Sequence, residues 1–104
     1  MVIEWLKVKV APDLREKFIQ KDAEIWTPLL SSYPGFLGKE VWIDPEKPTE
    51  VVFIIRWASH EAWKSVSSER LNQTEQHFTK EFGEPQQIIE TAQYQVRKFP
   101  TVSS

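Results

Sequence analysis

The sequence predicts an α+β domain whose elements run strand, helix, strand, strand, helix, strand. Three observations carry this reading: segments that alternate with period two, segments with apolar residues at helical spacing, and Pro- or Gly-bearing breaks between them. At 104 residues, the chain fits one domain with a modest core. We assign residues 1–99 to that domain and 100–104 to a disordered tail.

Val2 to Val10 alternates. Val2, Leu6, Val8 and Val10 face one way with Glu4 among them, and Ile3, Trp5, Lys7 and Lys9 face the other. Ala11-Pro12-Asp13 breaks this strand, since Pro12 has no N–H to donate and Asp13 is suited to cap a helix. Leu14, Phe18, Ile25, Trp26 and Leu29 then recur at helical spacing to about Ser31, with Pro28 expected to kink or detach the last turn. Tyr33-Pro34-Gly35-Phe36 is a turn. Phe36 to Asp44 reads as the second strand, and the segment 44–49 as a loop with two prolines. Glu50 to Ala58 is the strongest strand. Its run Val51-Val52-Phe53-Ile54-Ile55 predicts burial on both faces. Ser59 caps a short helix bearing Trp63 and Val66, and Ser67 or Ser68 opens a second helical segment. Leu71, Phe78 and Phe82 form the stripe of that segment, and Gly83 ends it. Gln87 to Phe99 is the last strand.

This order is the ferredoxin-like βαββαβ pattern. Right-handed crossovers place both helices on one face of a four-stranded antiparallel sheet. The other face then carries Trp5, half of the third strand, and either Phe36 with Trp42 or Leu37 with Val41 and Ile43. So large an apolar face predicts a homodimer in which two sheets stack.

Composition removes several function classes. Lys and Arg number 13 against 15 Asp and Glu, a net charge of −2, which is no footprint for nucleic acid or an anionic membrane. There is no cysteine, so disulfides, thiolate catalysis and Cys-bound metals are excluded. No leader-like or membrane-spanning run is present in the sequence, and we expect a cytoplasmic protein. His60 and His77 form no metal motif, and no phosphate loop or nucleophile triad can be read. We expect no cofactor and no metal.

Three segments carry a family resemblance. Val10-Ala11-Pro12-Asp13-Leu14-Arg15-Glu16-Lys17-Phe18 resembles the strand-to-helix entry of dimeric α+β-barrel proteins of the antibiotic-biosynthesis-monooxygenase type. Tyr33-Pro34-Gly35-Phe36-Leu37-Gly38-Lys39-Glu40-Val41 is similar to their second-strand motif, and Trp57-Ala58-Ser59-His60-Glu61-Ala62-Trp63 to the segment after their third strand. Ile25-Trp26-Thr27-Pro28 with Lys39-Glu40-Val41-Trp42 also resembles a small cyanobacterial branch of this superfamily. The superfamily includes cofactor-independent oxygenases of polycyclic phenols and heme-degrading members. Of the Asn, Trp and His shared by the latter, only His77 has a counterpart here.

Asp22 is the oddest placement. It falls in the middle of the apolar arc of the first helix, where a carboxylate is desolvated and its pKa rises. It is either a catalytic acid or base, or a structural carboxylate accepting from an indole, a backbone amide or Arg15. Glu4 interrupts an apolar strand face and could meet Asp22 under the helix, so that the two share a proton. Trp26, Trp57 and Trp63 are candidates for an aromatic ligand wall, or plain core. Glu40 is a pocket carboxylate or an edge residue paired to a Lys. Arg56 needs a counter-ion, from Glu90, Glu40, a carboxylate of a second copy of the chain, or an anionic ligand. Two functions follow from these residues. One is a cofactor-independent monooxygenase-like oxidoreductase on a small aromatic compound, with Asp22 handling a proton. The other is a non-catalytic dimeric small-molecule-binding or stress-associated module.

Overall fold

The computed structural model describes residues 1–98. Its elements are β1 (Val2–Lys9), a 3-10 turn (Pro12–Leu14), α1 (Arg15–Ser31), β2 (Phe36–Trp42), β3 (Glu50–Trp57), α2 (His60–Lys64), α3 (Ser68–Phe82) and β4 (Gln87–Gln95). The strands form one antiparallel sheet in the order β2-β3-β1-β4. This is the ferredoxin-like α+β arrangement.

β3 and β1 are the inner strands, which explains the unbroken apolar run. Val51, Phe53, Ile54, Ile55 and Trp57 of β3 are all buried. Phe18 of α1 ties the helical layer to the sheet. Its ring lies 5.8 Å from that of Phe53 and 5.4 Å from those of Phe78 and Phe82 in α3. Val8, Val10 and Val51 complete this cluster. A second cluster gathers Leu30, Ile55 and Trp57, with Phe36, Trp63 and Val66 packed against it.

Local chemistry sets the helix ends. The Ser59 hydroxyl accepts from the Ala62 N–H and the Ser67 hydroxyl from that of Arg70, each at 3.1 Å. Gly83 closes α3 in the left-handed region at φ 108°, its N–H bonding to the Thr79 carbonyl. Gly35, at φ 90°, lies so close to α2 that a Cβ there would overlap that of Ala62.

Four details differ from the sequence reading. Asp13 caps nothing: Pro12–Leu14 forms a 3-10 turn first, and α1 starts at Arg15 with no side-chain cap. Pro28 does not separate the last turn, and α1 runs through it because Leu29 and Leu30 beyond it are buried. β4 ends at Gln95, where the Val96 N–H bonds to the Met1 carbonyl at 2.9 Å. The expected strand end at Phe99 and the tail 100–104 lie outside the described residues. Finally, strict alternation fails in β2. Leu37 and Gly38 together stand opposite Arg56, an extra residue that shifts the phase. Phe36 therefore packs on Trp57 toward the helices (rings 5.6 Å apart), while Trp42 pairs across from Val52 on the open face.

Candidate active site

Between the two clusters, under the joint of α2 and α3, lies a cavity of about 530 Å³. Its wall is largely apolar and aromatic, with Trp26, Phe53, Trp57 and Trp63 among the lining residues. Asp22, Lys39 and Glu4 supply charge at its base, and Lys64 and Glu75 also reach it.

The helical period of α1 turns Asp22 onto the sheet, and the shifted phase of β2 turns Lys39 up to meet it. The Lys39 ammonium donates to both Asp22 carboxylate oxygens, at 2.8 and 2.7 Å. Side-chain exposure is 5% for Lys39 and 2% for Asp22. The same ammonium stands 4.4 Å from the centre of the Phe53 ring. From β1, Glu4 accepts from the Trp57 indole N–H at 3.4 Å. The Trp26 indole nitrogen is buried and has no hydrogen-bond partner among the described residues.

Burial raises the pKa of Asp22 above the ordinary 3.8, against the pull of the Lys39 charge and its hydrogen bond. Burial likewise lowers Lys39 below its ordinary 10.5, opposed by Asp22 and, more weakly, Glu4. Glu4 is raised by burial, opposed by the Trp57 hydrogen bond and the charges of Lys39 and Lys64. All three shifts favour the neutral forms, so desolvation outweighs the mutual attraction.

The structure brings Asp22, Trp26, Trp57 and Trp63 to one cavity and places Glu40 and Arg56 elsewhere. Glu40 stands across from Ile54 on the open face of the sheet. There it accepts from Arg56 at 3.5 Å and from the Trp42 indole at 3.1 Å. The partner of Asp22 is neither an indole nor Arg15 but Lys39, which sequence reasoning misses. Its signal is parity: Lys39 shares a strand face with Val41, a cation on an apolar face matching a carboxylate on an apolar arc. Among the described residues no group of three or more His, Asp and Glu could hold a metal ion. His77 pairs with Glu81 at 3.8 Å on the exposed side of α3.

The family model described as Antibiotic biosynthesis monooxygenase matches residues 1–82. No curated protein matches the chain significantly. Among solved structures, a variant of SnoaB, a cofactor-independent oxygenase from Streptomyces nogalater, superposes with a TM-score of 0.70. It is 18% identical, with 94% of each chain covered. The monooxygenase ActVA-Orf6 of Streptomyces coelicolor, solved with the ligand nanaomycin D, gives a TM-score of 0.74 at 16% identity. That match covers 98% of this chain and 92% of the other. A conserved protein from Methanosarcina mazei gives 0.64 at 14% identity, with 89% of each chain covered. At such identities the likeness concerns the fold, not the chemistry.

Proposed function

Because this chain belongs to the antibiotic biosynthesis monooxygenase family, we propose that it is a cofactor-independent monooxygenase-like oxidoreductase acting on a small, electron-rich aromatic compound. The observation that carries this reading is the cavity itself: aromatic walls above a buried carboxylate that already shares hydrogens with an ammonium. Trp26 and Trp63 hold a flat ring by stacking, backed by Trp57, which is itself fully buried. Asp22 takes the proton of a ring hydroxyl, which makes the ring a stronger electron donor toward dioxygen. The reaction balances without another reductant. A phenol and O₂ give a quinone and water. One oxygen atom enters the ring as the new carbonyl, and the other leaves with the two hydrogens the substrate loses. The substrate supplies all four electrons. Asp22 returns its proton to the departing oxygen.

The test is oxygen uptake across a panel of phenols, naphthols and hydroquinones. Uptake equal to substrate consumed, with a labelled oxygen atom in the quinone, is expected for at least one member. Asp22→Asn should slow it by roughly 10²-fold or more, the usual contribution of a positioned acid or base. If no member drives uptake, the reading fails. A second reading, a non-catalytic binding module, draws support from the way Lys39 occupies both oxygens of Asp22. It requires ring binding with no uptake at all.

Two further assignments belong to this proposal. The helix-free face of the sheet carries Trp5, Val52, Ile54 and Trp42, the last 50% exposed. We assign this face to a second copy of the chain, giving a homodimer that light scattering would detect. We also place the protein in the cytoplasm, where a chain without cysteine meets its reducing conditions unchanged. No helix among the described residues is long and apolar enough to cross a membrane.

A further inference from the structure

A lysine ammonium has three N–H donors. Two of those on Lys39 are taken by the oxygens of Asp22, and the third has no protein oxygen or nitrogen partner among the described residues. Lys39 also lines the cavity, its ammonium against the face of Phe53. The other charges facing the cavity are differently placed. Asp22 comes from α1 and Glu4 from β1. Lys64, from α2, is exposed and lies over the Trp63 ring. Glu75, from α3, is occupied by the Gln86 N–H at 3.1 Å. β3 and β4 add Phe53, Ile55, Trp57 and Ile88 to the wall and no titratable group. Lys39 is thus the one buried cation among the described lining residues.

We propose that Lys39 is the counter-ion of the substrate, and that the cavity takes its aromatic ligand as a phenolate whose oxygen accepts the free Lys39 N–H. This rests on the proposed role of the cavity as the substrate site, and it adds a constraint on charge. An anion entering beside ionised Asp22 and Glu4 meets repulsion in a poorly solvated space. A neutral phenol avoids it by handing its proton to Asp22. The ammonium then exchanges a carboxylate partner for a phenolate partner, and the net charge of the cavity stays the same. The preferred ligand is therefore an aromatic ring with a weakly acidic hydroxyl, admitted neutral and held ionised. A benzoate of similar size, already charged, binds only with uptake of a proton.

The probe is 4-nitrophenol, whose phenolate absorbs in the visible, at a pH below its solution pKa. Quenching of tryptophan fluorescence reports binding. Its phenolate band should grow as it binds, with the phenolate-to-phenol ratio raised at least about tenfold, one pKa unit. No proton should appear in weakly buffered solution, because Asp22 keeps it. Lys39→Met leaves Asp22 buried without a partner, which threatens folding, so Asp22→Leu with Lys39→Met is the paired control. It should bind the probe without the phenolate band. Quenching without band growth in the wild-type protein overturns the counter-ion role and leaves the oxygenase reading standing. A band that persists in the double variant also overturns it. No binding, together with no oxygen uptake by any panel member, removes both.

Discussion

The two faces of the sheet use the same residue types to opposite ends. On the helix-covered face Lys39 meets Asp22 at 2.7 Å, both almost fully buried. One residue along β2, on the open face, Glu40 meets Arg56 at 3.5 Å with side-chain exposures of 48% and 31%. Lys7 sits on that open face between Glu50 and Glu90, at 3.7 and 3.4 Å. In the single chain the open-face pairs are partly exposed and reach water. The covered pair surrenders its water and holds one geometry, which suits a site more than it serves stability.

The largest expected effect breaks the covered pair. Asp22→Asn or Lys39→Met alone should lower unfolding free energy by about 3–5 kcal/mol, since either leaves a charge or its partner stranded. Asp22→Leu with Lys39→Met should recover most of that, measured by urea denaturation. Equal losses in single and double variants would mean that the pair stabilises the fold after all.

Next comes the apolar part of the open face. Trp5→Ala with Trp42→Ala should weaken self-association by about 2 kcal/mol or more, roughly 30-fold in Kd, if these rings anchor the dimer. Sedimentation of the variant against the wild type reads this directly. An unchanged dimer would move the interface elsewhere.

Glu4 sharpens the comparison through pH. Its pKa is raised in the folded chain. The stability it contributes is therefore complete below its ordinary value of 4.5 and is lost as pH climbs through the folded value. Glu4→Gln should melt higher than the wild type near neutral pH, with the advantage vanishing below about pH 4.5. A constant difference across that range would show that Glu4 is not desolvated. The smallest effect belongs to the open pair. Glu40→Gln should change the stability of the dissociated chain by under about 1 kcal/mol, and less in high salt.

Much of this contrast is legible in the amino-acid sequence. Period-two alternation locates the strands, and Ser59, Ser67 and Gly83 mark helix ends by their hydrogen-bonding habits. The position of Asp22 follows from helical spacing alone, and it is 1% exposed. Lys39 is legible only in part: parity sets it with Val41, but its partner is 17 residues away and the face both take depends on an irregularity. Period two cannot announce the extra residue at Leu37. The same shift puts Phe36 and Trp42 on opposite faces. A second irregularity in β4 sets Ile88 across from Val8, the neighbour of Lys7, whose own partner is Glu90. Both depend on pairings between strands, which a local pattern does not contain.

The unpaired residue in β2 reaches further than its own hydrogen bonds. Were Leu37 drawn into the regular ladder while Phe36 kept its place, Lys39 would rotate outward and Glu40 inward. The interior would trade an ammonium for a carboxylate, and its appetite would turn from acidic rings to basic ones. The bulge at Leu37 is thus a polarity setting: whether that residue stands outside the ladder or within it decides the sign of the molecule this fold admits.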